Sequence, residues 1–429
     1  MPSATFSRST ADGSDADAAL LGLSCGGDDG SSGPKRGSSI QFLVFGEPEE
    51  LKAYRNVITA FKEREPETDV RLVEASDRSD LIARLSTSFA GGSPPDLFLL
   101  NYRFYGQFAA RGVLEPVESR VNASKVFQQE DFYSQALDAF RWEGRLTCMP
   151  QNISSLVVYY NKDLFRAAGV EAPADDWHWL EMVDKAKQLT KGDVYGLGVE
   201  PSIIRLAPFV WSKGGEVVDD VERPTGLALQ GRDALAAATE FFRLSREHGV
   251  IPSEAERKSE DEESRFQNGR LGMLLSSRRS TPTFRTITDF DWDIAPLPRL
   301  KRPAGILHSD AYCMTRASRD KDAAWRFLEF ALGPEGQRIT AESGRTVPSL
   351  KAVAESDAFL DPNAKPSRSR VFLDTIPYIQ RVPSISTWPE IEDVSEGIIE
   401  FGLYDDVPAS EVLGRLDAAT RPLFARAQR

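Results

Sequence analysis

The chain is short of the residues that serve metals and nucleophiles. It has three cysteines and three histidines among 429 residues. Cys25, Cys148 and Cys313 make no CxxC pair, and His178, His248 and His308 make no HExxH or Cys/His cluster. That pattern argues against a zinc site, and neither a metal nor a cofactor is expected. Basic charge is also short: 52 Lys and Arg face 65 Asp and Glu, a formal net charge of −13. A nucleic-acid binder needs a basic face against phosphates, so nucleic acid is not an expected partner. No run of about 18 apolar residues occurs, so no segment reads as a membrane-spanning helix. No Walker A motif occurs either.

What remains is an ordinary globular composition, long enough for two lobes of about 150–200 residues each. Cys148 and Cys313 sit in apolar surroundings, which favours two buried free thiols over a disulfide. Residues 146–169 read as the pivot of the chain. Cys148–Asn152 carries a proline and little periodicity, so it reads as a connector. Ile153–Tyr160 is apolar and β-branched, a strand buried on both faces. Asn161 caps a short helix that ends at Gly169. A central strand fed by a polar connector suits a junction between lobes.

Upstream, Ser39–Phe45 reads as a strand, Glu47–Arg64 as an amphipathic helix and Asp69–Val73 as a second strand. This βαβ opening implies a parallel sheet with right-handed crossovers. A helix over 80–89 precedes a buried strand at Asp96–Leu100. Ligands in open α/β sheets sit beyond the carboxyl ends of strands, which places Asn101 at a cleft with Tyr102 beside it. Phe104 and Phe108 are expected in the core. Phe132–Trp142 reads as a helix, and Asp175 or Asp176 as the N-cap of a helix over 177–189.

Several blocks carry a family resemblance. YYNKDLFRAAG (159–169), AGGSPPDLFLLN (90–101) with FAARGVLEPV (108–117), and WEGRLTCMP (142–150) are three of them. SKGGEVVD (212–219), FQNGRLGM (266–273), WDIAPLP (292–298) and KDAAWRFLEFAL (321–332) follow in order. The chain resembles the family 1 extracellular solute-binding proteins, the maltose-binding type of sugar receptor of bacterial ABC importers. The resemblance spans roughly residues 40–425 and implies an α/β, two-lobed periplasmic-binding-protein fold (type II-like). Each lobe is expected as a mostly parallel sheet flanked by helices, with the ligand cleft between lobes. The expected division is a tail at 1–39, a first lobe from 40–150, mainly the second lobe at 151–300, and shared return segments at 301–429.

The resemblance also directs attention to candidate ligand contacts. Glu47 and Asn101 stand at strand ends, and Gln151 and Asn152 follow the Pro150 turn with amides that pair with hydroxyls. Trp211 is the favoured platform for a sugar ring, an interior tryptophan being the equal alternative. Arg278, with Arg279, suits a carboxylate or phosphate on the ligand, against the reading of solvated surface charge. His308, Ser309, Asp310 and Tyr312 replace a glycine-rich segment that borders the site in the family, and Asp310 suits a pair of hydroxyls. Arg345 is placed facing the cleft, and Trp388 near the ligand.

Met1–Ser39 is rich in Ser, Gly, Asp and Ala and is expected to be disordered. Within it, LLGLSCGGDDG (20–30) resembles the end of a bacterial lipoprotein signal with Cys25 as the lipidated residue. The apolar run Ala18–Leu23 is shorter than a signal requires, so the signal as written is incomplete. The implied function is a monomeric, extracytoplasmic receptor, anchored through Cys25, that closes on a carbohydrate and delivers it to membrane permease subunits. It is not expected to be an enzyme. The alternatives are a glycoside-processing enzyme or sugar sensor on the same scaffold, or a receptor for an anionic polyol such as a glycerophosphodiester.

Overall fold

The structure is a computed structural model and describes residues 38–427. Strand β1 (Ser38–Val44) opens it, with Ile40, Phe42 and Val44 fully buried. Helix α1 (Pro48–Arg64) begins with proline at its first turn, carries Glu49 and Glu50 there, and ends on Lys62 and Arg64. Charge of each sign thus stands at the helix pole it stabilises. Its face of Ala53, Tyr54, Val57 and Phe61 is buried. Strand β2 (Thr68–Glu74) pairs parallel with β1. Helix α2 (Arg78–Ala90) starts where the Asp77 carboxylate accepts from the Asp80 N–H. Strand β3 (Leu97–Asn101) is buried throughout and pairs parallel with β1 on its other side. The Asn101 side chain then caps helix α3 (Tyr102–Ala109). Only glycine fits at 106, because a Cβ there would lie 2.2 Å from the Ser384 carbonyl.

Residues 132–142 do not form one helix. The helix is Ser134–Asp138, and a hairpin of Arg141–Trp142 with Arg145–Leu146 follows. Glu143 and Gly144 at φ 51° and 79° make its turn and stop any helix there. The expected connector at 148–152 begins as strand β4 (Cys148–Pro150). Its proline is tolerated because β4 lies at the sheet edge, where one side needs no ladder donor. The chain then leaves the first sheet and enters strand β5 (Leu156–Asn161), buried at every residue, through Gln151–Ser155. Asn161 caps the next helix, accepting from the N–H groups of Asp163 and Leu164, and Gly169 closes it at φ 67°.

Helix α4 (Trp179–Leu189) is capped by His178, whose Nδ1 accepts from the Leu180 N–H, and not by Asp175 or Asp176. Those two aspartates pair with Arg368 and Arg299 instead. Strand β6 (Tyr195–Gly198) leads to helix α5 (Ile203–Lys213) and helix α6 (Arg232–Arg246). Strands β7 (Leu271–Ser277) and β8 (Trp292–Ala295) complete a sheet of order β8-β5-β7-β6. Strand β9 (Asp310–Met314) returns to the first sheet, whose order is β2-β1-β3-β9-β4. Helix α7 (Lys321–Leu332) packs on β1 and β9, and helix α8 (Trp388–Tyr404) touches α3, α5 and α6. Helix α9 (Ala409–Ala427) packs along α8.

The class is the expected α/β, with helices around two larger sheets. The sheets are mixed, not mostly parallel. Strand β9, which returns to the first sheet from the second lobe, pairs antiparallel with both β3 and β4, as does β5 with both its neighbours. A strand fed from the opposite lobe is free of the right-handed crossover rule that keeps βαβ strands parallel.

The two apolar cysteines are also a correction: Cys148 and Cys313 form a disulfide. They stand directly opposite each other in the β4–β9 ladder, Cα atoms 4.4 Å apart. A separation of 165 residues hid this pairing from any reading of local context. Among the described residues no helix is long and apolar enough to cross a membrane. Cys25 and the lipoprotein-like stretch lie outside the described residues.

Candidate functional site

A cleft of about 500 Å³ opens at the carboxyl ends of β1, β3, β6 and β7. The first-sheet wall comprises the residues just past β1 (Phe45–Glu47), the start of α2, and Asn101 at the tip of β3. Glu200–Arg205 follow β6 and Ser277–Arg279 end β7 on the other wall. Asn152 and His308 enter from crossing segments, and Glu392, Asp393 and Glu396 from α8.

At the base, Asp310 is held by two amides. Its Oδ1 accepts from Asn101 Nδ2 at 3.0 Å and its Oδ2 from Asn152 Nδ2 at 3.2 Å. The Asp310 N–H donates to Asn152 Oδ1 at 2.8 Å, and the Asn152 carbonyl accepts from Ser309 Oγ at 2.7 Å. Register makes the cluster, since Asp310 lies opposite Asn101 across the β3–β9 ladder. A carboxylate with two amides beside it offers acceptors and donors at fixed spacing, which suits vicinal hydroxyls.

Six guanidiniums line the cleft: Arg78, Arg103, Arg205, Arg278, Arg279 and Arg345. Four are ion-paired. Arg103 meets Glu392 at 2.5 Å, Arg205 meets Glu200 at 2.8 Å, Arg345 meets Glu50 at 2.9 Å, and Arg279 meets Glu263. Arg205 holds the Glu200 carboxyl below its usual range, whereas burial pushes Glu50 and Glu392 up against the pull of their arginines. Arg278 has no acid. Its Nε donates to the Gly344 carbonyl at 2.7 Å and its Nη1 to Ser369 Oγ at 3.2 Å. It lies 4.9 and 5.3 Å from the rings of Phe359 and Phe372. Burial lowers its pKa to about 9, so it stays charged at neutral pH. Arg78 lies over Phe45 and Phe104 at 5.4 and 5.7 Å. Phe104 packs against the core, as expected, and also lines the cleft. Burial first, then the four cations Arg103, Arg205, Arg279 and Arg78, hold His308 well below the usual imidazole range and neutral.

Of the residues singled out in the sequence, Glu47, Asn101, Asn152, Arg278, Asp310 and Arg345 line this cleft. The other six do not. Tyr102 and Tyr312 are core residues, the latter 4.7 Å from the Phe42 ring. Gln151 is buried and donates to the Tyr54 hydroxyl. Ser309 supports Asn152 from behind. Trp388 is fully buried and donates through Nε1 to Glu392 Oε1 at 2.5 Å. Trp211 is 3% exposed and borders a separate cavity with Val217, Leu307 and Val382. Its helix turns the indole inward because α5 is apolar nearly all round and buried on every side.

Sequence reasoning missed Arg78, Arg103, Glu200, Arg205 and Glu392. Arg103 was within reach, since it stands two residues beyond the strand-end position that identified Asn101. Its partner Glu392 lies 289 residues on, with no local sign of the pairing.

Two α/β lobes with crossing segments and a polar cleft at their strand ends define a solute receptor of the binding-protein class. The bacterial extracellular solute-binding protein family matches residues 56–366, and the chain belongs to it. A galactooligosaccharide-binding protein of Bacillus subtilis is 20% identical over 86% of this chain and 85% of its own. The fold superposes on an ABC substrate-binding protein of Listeria monocytogenes in complex with cycloalternan. That match has a TM-score of 0.82 and 26% identity over 90% of this chain and 99% of the other. UgpB of Mycobacterium tuberculosis in complex with glycerophosphocholine gives a TM-score of 0.80 and 20% identity over 91% and 100%.

Proposed function

We propose that this protein is the extracytoplasmic receptor of an ABC-type importer, and that it binds a hydroxyl-rich solute of the carbohydrate class. The observation that carries the reading is the Asp310 carboxylate fixed between Asn101 and Asn152 at the base of the cleft. The similar proteins from Bacillus and Listeria, which bind a galactooligosaccharide and cycloalternan, support the class of ligand. The Cys148–Cys313 disulfide suits an oxidising compartment outside the cytoplasm. Cys25 would tether the chain by a lipid, and the receptor would act as a monomer that hands its cargo to permease subunits.

The mechanism is binding followed by hinge closure, with no covalent step. Gln151–Ser155 and the antiparallel bridges Ser154–His308 and Asn152–Pro348 form the narrow connection about which lobes can turn. A ligand that touches Asp310 on one side and Glu200–Arg205 on the other favours the closed state by its differential affinity.

The test is a thermal-shift screen of the full chain against neutral sugars, sugar acids and glycerophosphodiesters. A ligand at one hundred times its dissociation constant adds about 2.7 kcal/mol. Asp310→Ala is expected to weaken the best ligand at least tenfold while the protein still folds. Unchanged affinity in that variant would sink the assignment of the cluster. Recovery of a chemically altered ligand would make the protein an enzyme.

A further inference from the structure

The cleft carries an imbalance among its cations that bears on the charge of its ligand. Five of the six lining guanidiniums have polar partners of their own in the protein. Arg78 is the exception among the described residues. No hydrogen bond or ion pair involves its side chain, and its Nε is buried with no acceptor. The carboxylates nearby are committed elsewhere. Asp77 accepts from the Asp80 N–H as the cap of α2. Asp310 gives both oxygens to amides and lies beyond ion-pair distance of Arg78.

The position of Arg78 is nevertheless fixed. The guanidinium lies over the rings of Phe45 and Phe104, contacts that hold it in place without satisfying its N–H groups. A guanidinium carries five donors in a rigid fork matched to carboxylate and phosphate. A buried donor without an acceptor is costly, and an arriving anion removes that cost. A second observation points the same way. His308, on the same cleft, is buried with Nε2 unpartnered and is faced by Arg78, Arg103, Arg205 and Arg279. The neighbourhood of Arg78 and His308 is thus positive, and the uncommitted acids Glu47, Asp393 and Glu396 stand exposed to water, where they are screened.

We propose that the natural ligand carries an anionic group, a carboxylate or a phosphate, and that Arg78 is the specificity-determining residue that reads it. This rests on the receptor reading above. Asp310 and its two amides then take hydroxyls while the Arg78 fork takes the charge, so a neutral sugar of the same shape leaves Arg78 unpaired.

Calorimetric titration of the full chain with matched pairs tests this. The probes are galactose against galacturonate, glucose against glucose 6-phosphate, and glycerol against glycerol 3-phosphate. The first pair reports on carboxylate, the other two on phosphate. One acidic member is expected to bind roughly 10- to 100-fold more tightly than its neutral counterpart, the range of a charge-assisted hydrogen bond. Arg78→Gln should erase that preference and Arg78→Lys should keep part of it, the acidic member losing at least tenfold more affinity than the neutral one. Because Arg78 has no hydrogen-bonded or ionic partner to lose, Arg78→Gln gives up only its stacking on Phe45 and Phe104 and should still melt cooperatively, which keeps the affinity change interpretable. Neutral members binding as tightly as acidic ones, or a preference untouched by Arg78→Gln, would overturn the proposal and leave the sugar receptor standing. An equal loss for acidic and neutral members would also overturn it, by making Arg78 structural. Silence of every probe, in titration and in the thermal-shift screen, would count against the receptor reading itself.

Discussion

The interior and the cleft of this protein sort their large side chains in opposite ways. Trp177, Trp179, Trp292 and Trp388 are among the largest fully buried residues, and Trp211 is nearly so. The cleft has no tryptophan; its two phenyl rings, Phe45 and Phe104, lie beneath a guanidinium. Rings fill the interior, while charge and amides line the cleft. The difference teaches that a tryptophan count says little about recognition here. The burial of an indole is worth more to the core than its face is worth to a sugar, and α5 is positioned accordingly.

That division can be broken by experiment. The largest effect should come from the interior link between β4 and β9. Replacing both Cys148 and Cys313 by serine frees a closed span of 165 residues, which in the chain-entropy account costs about 5 kcal/mol. Denaturant melts with and without reductant measure it, and equal midpoints would mean that the link contributes nothing. Trp211→Ala comes next, at about 3–5 kcal/mol of stability for a buried large-to-small change. Affinity of the folded fraction should be unchanged, and a variant that keeps its stability but loses its ligand would put the indole back in recognition.

Glu262 sharpens the comparison, being a buried acid of the interior whose pKa is raised to about 7, chiefly by burial. A folded pKa above the unfolded value means that the native state holds the proton more tightly. The stability this gives is complete below about pH 4.5 and is lost as pH rises through 7. Glu262→Gln should therefore stabilise at pH 8, by up to about 3 kcal/mol, and be neutral near pH 4. Melts of the parent and variant that run parallel across this range would refute it.

Much of the scaffold was legible because its signals are local. The strand expected at Asp96–Leu100 and found at Leu97–Asn101, the Asn161 cap and the amphipathic stripe of α1 each follow from a few adjacent residues. The strand-end rule also found Asn101, and the family pattern found Asp310. What stayed hidden is what pairs across the sheets. The disulfide, the Arg103–Glu392 contact and the Glu50–Arg345 pair join positions 165 to 295 residues apart. Helix caps were missed where a histidine did the work of an aspartate, as at His178. The stacking role given to Trp211 came from chemistry without placement, and only the inward face of α5 decides where that ring goes.

The ladder between β3 and β9 has a consequence for the order of synthesis. Asn101 and Asp310, its facing residues, are 209 residues apart, with the whole second sheet translated between them. At about 5–20 residues per second, β3 waits roughly 10–40 s for β9, the strand that pairs with it. Throughout that interval one edge of β3 is unpaired, and Cys148, once made, waits a further 165 residues for Cys313. The nascent chain therefore carries an open β-edge and a free thiol past the point where its first three strands can fold. Holding that edge apart from other chains is a task for whatever escorts the protein to its destination.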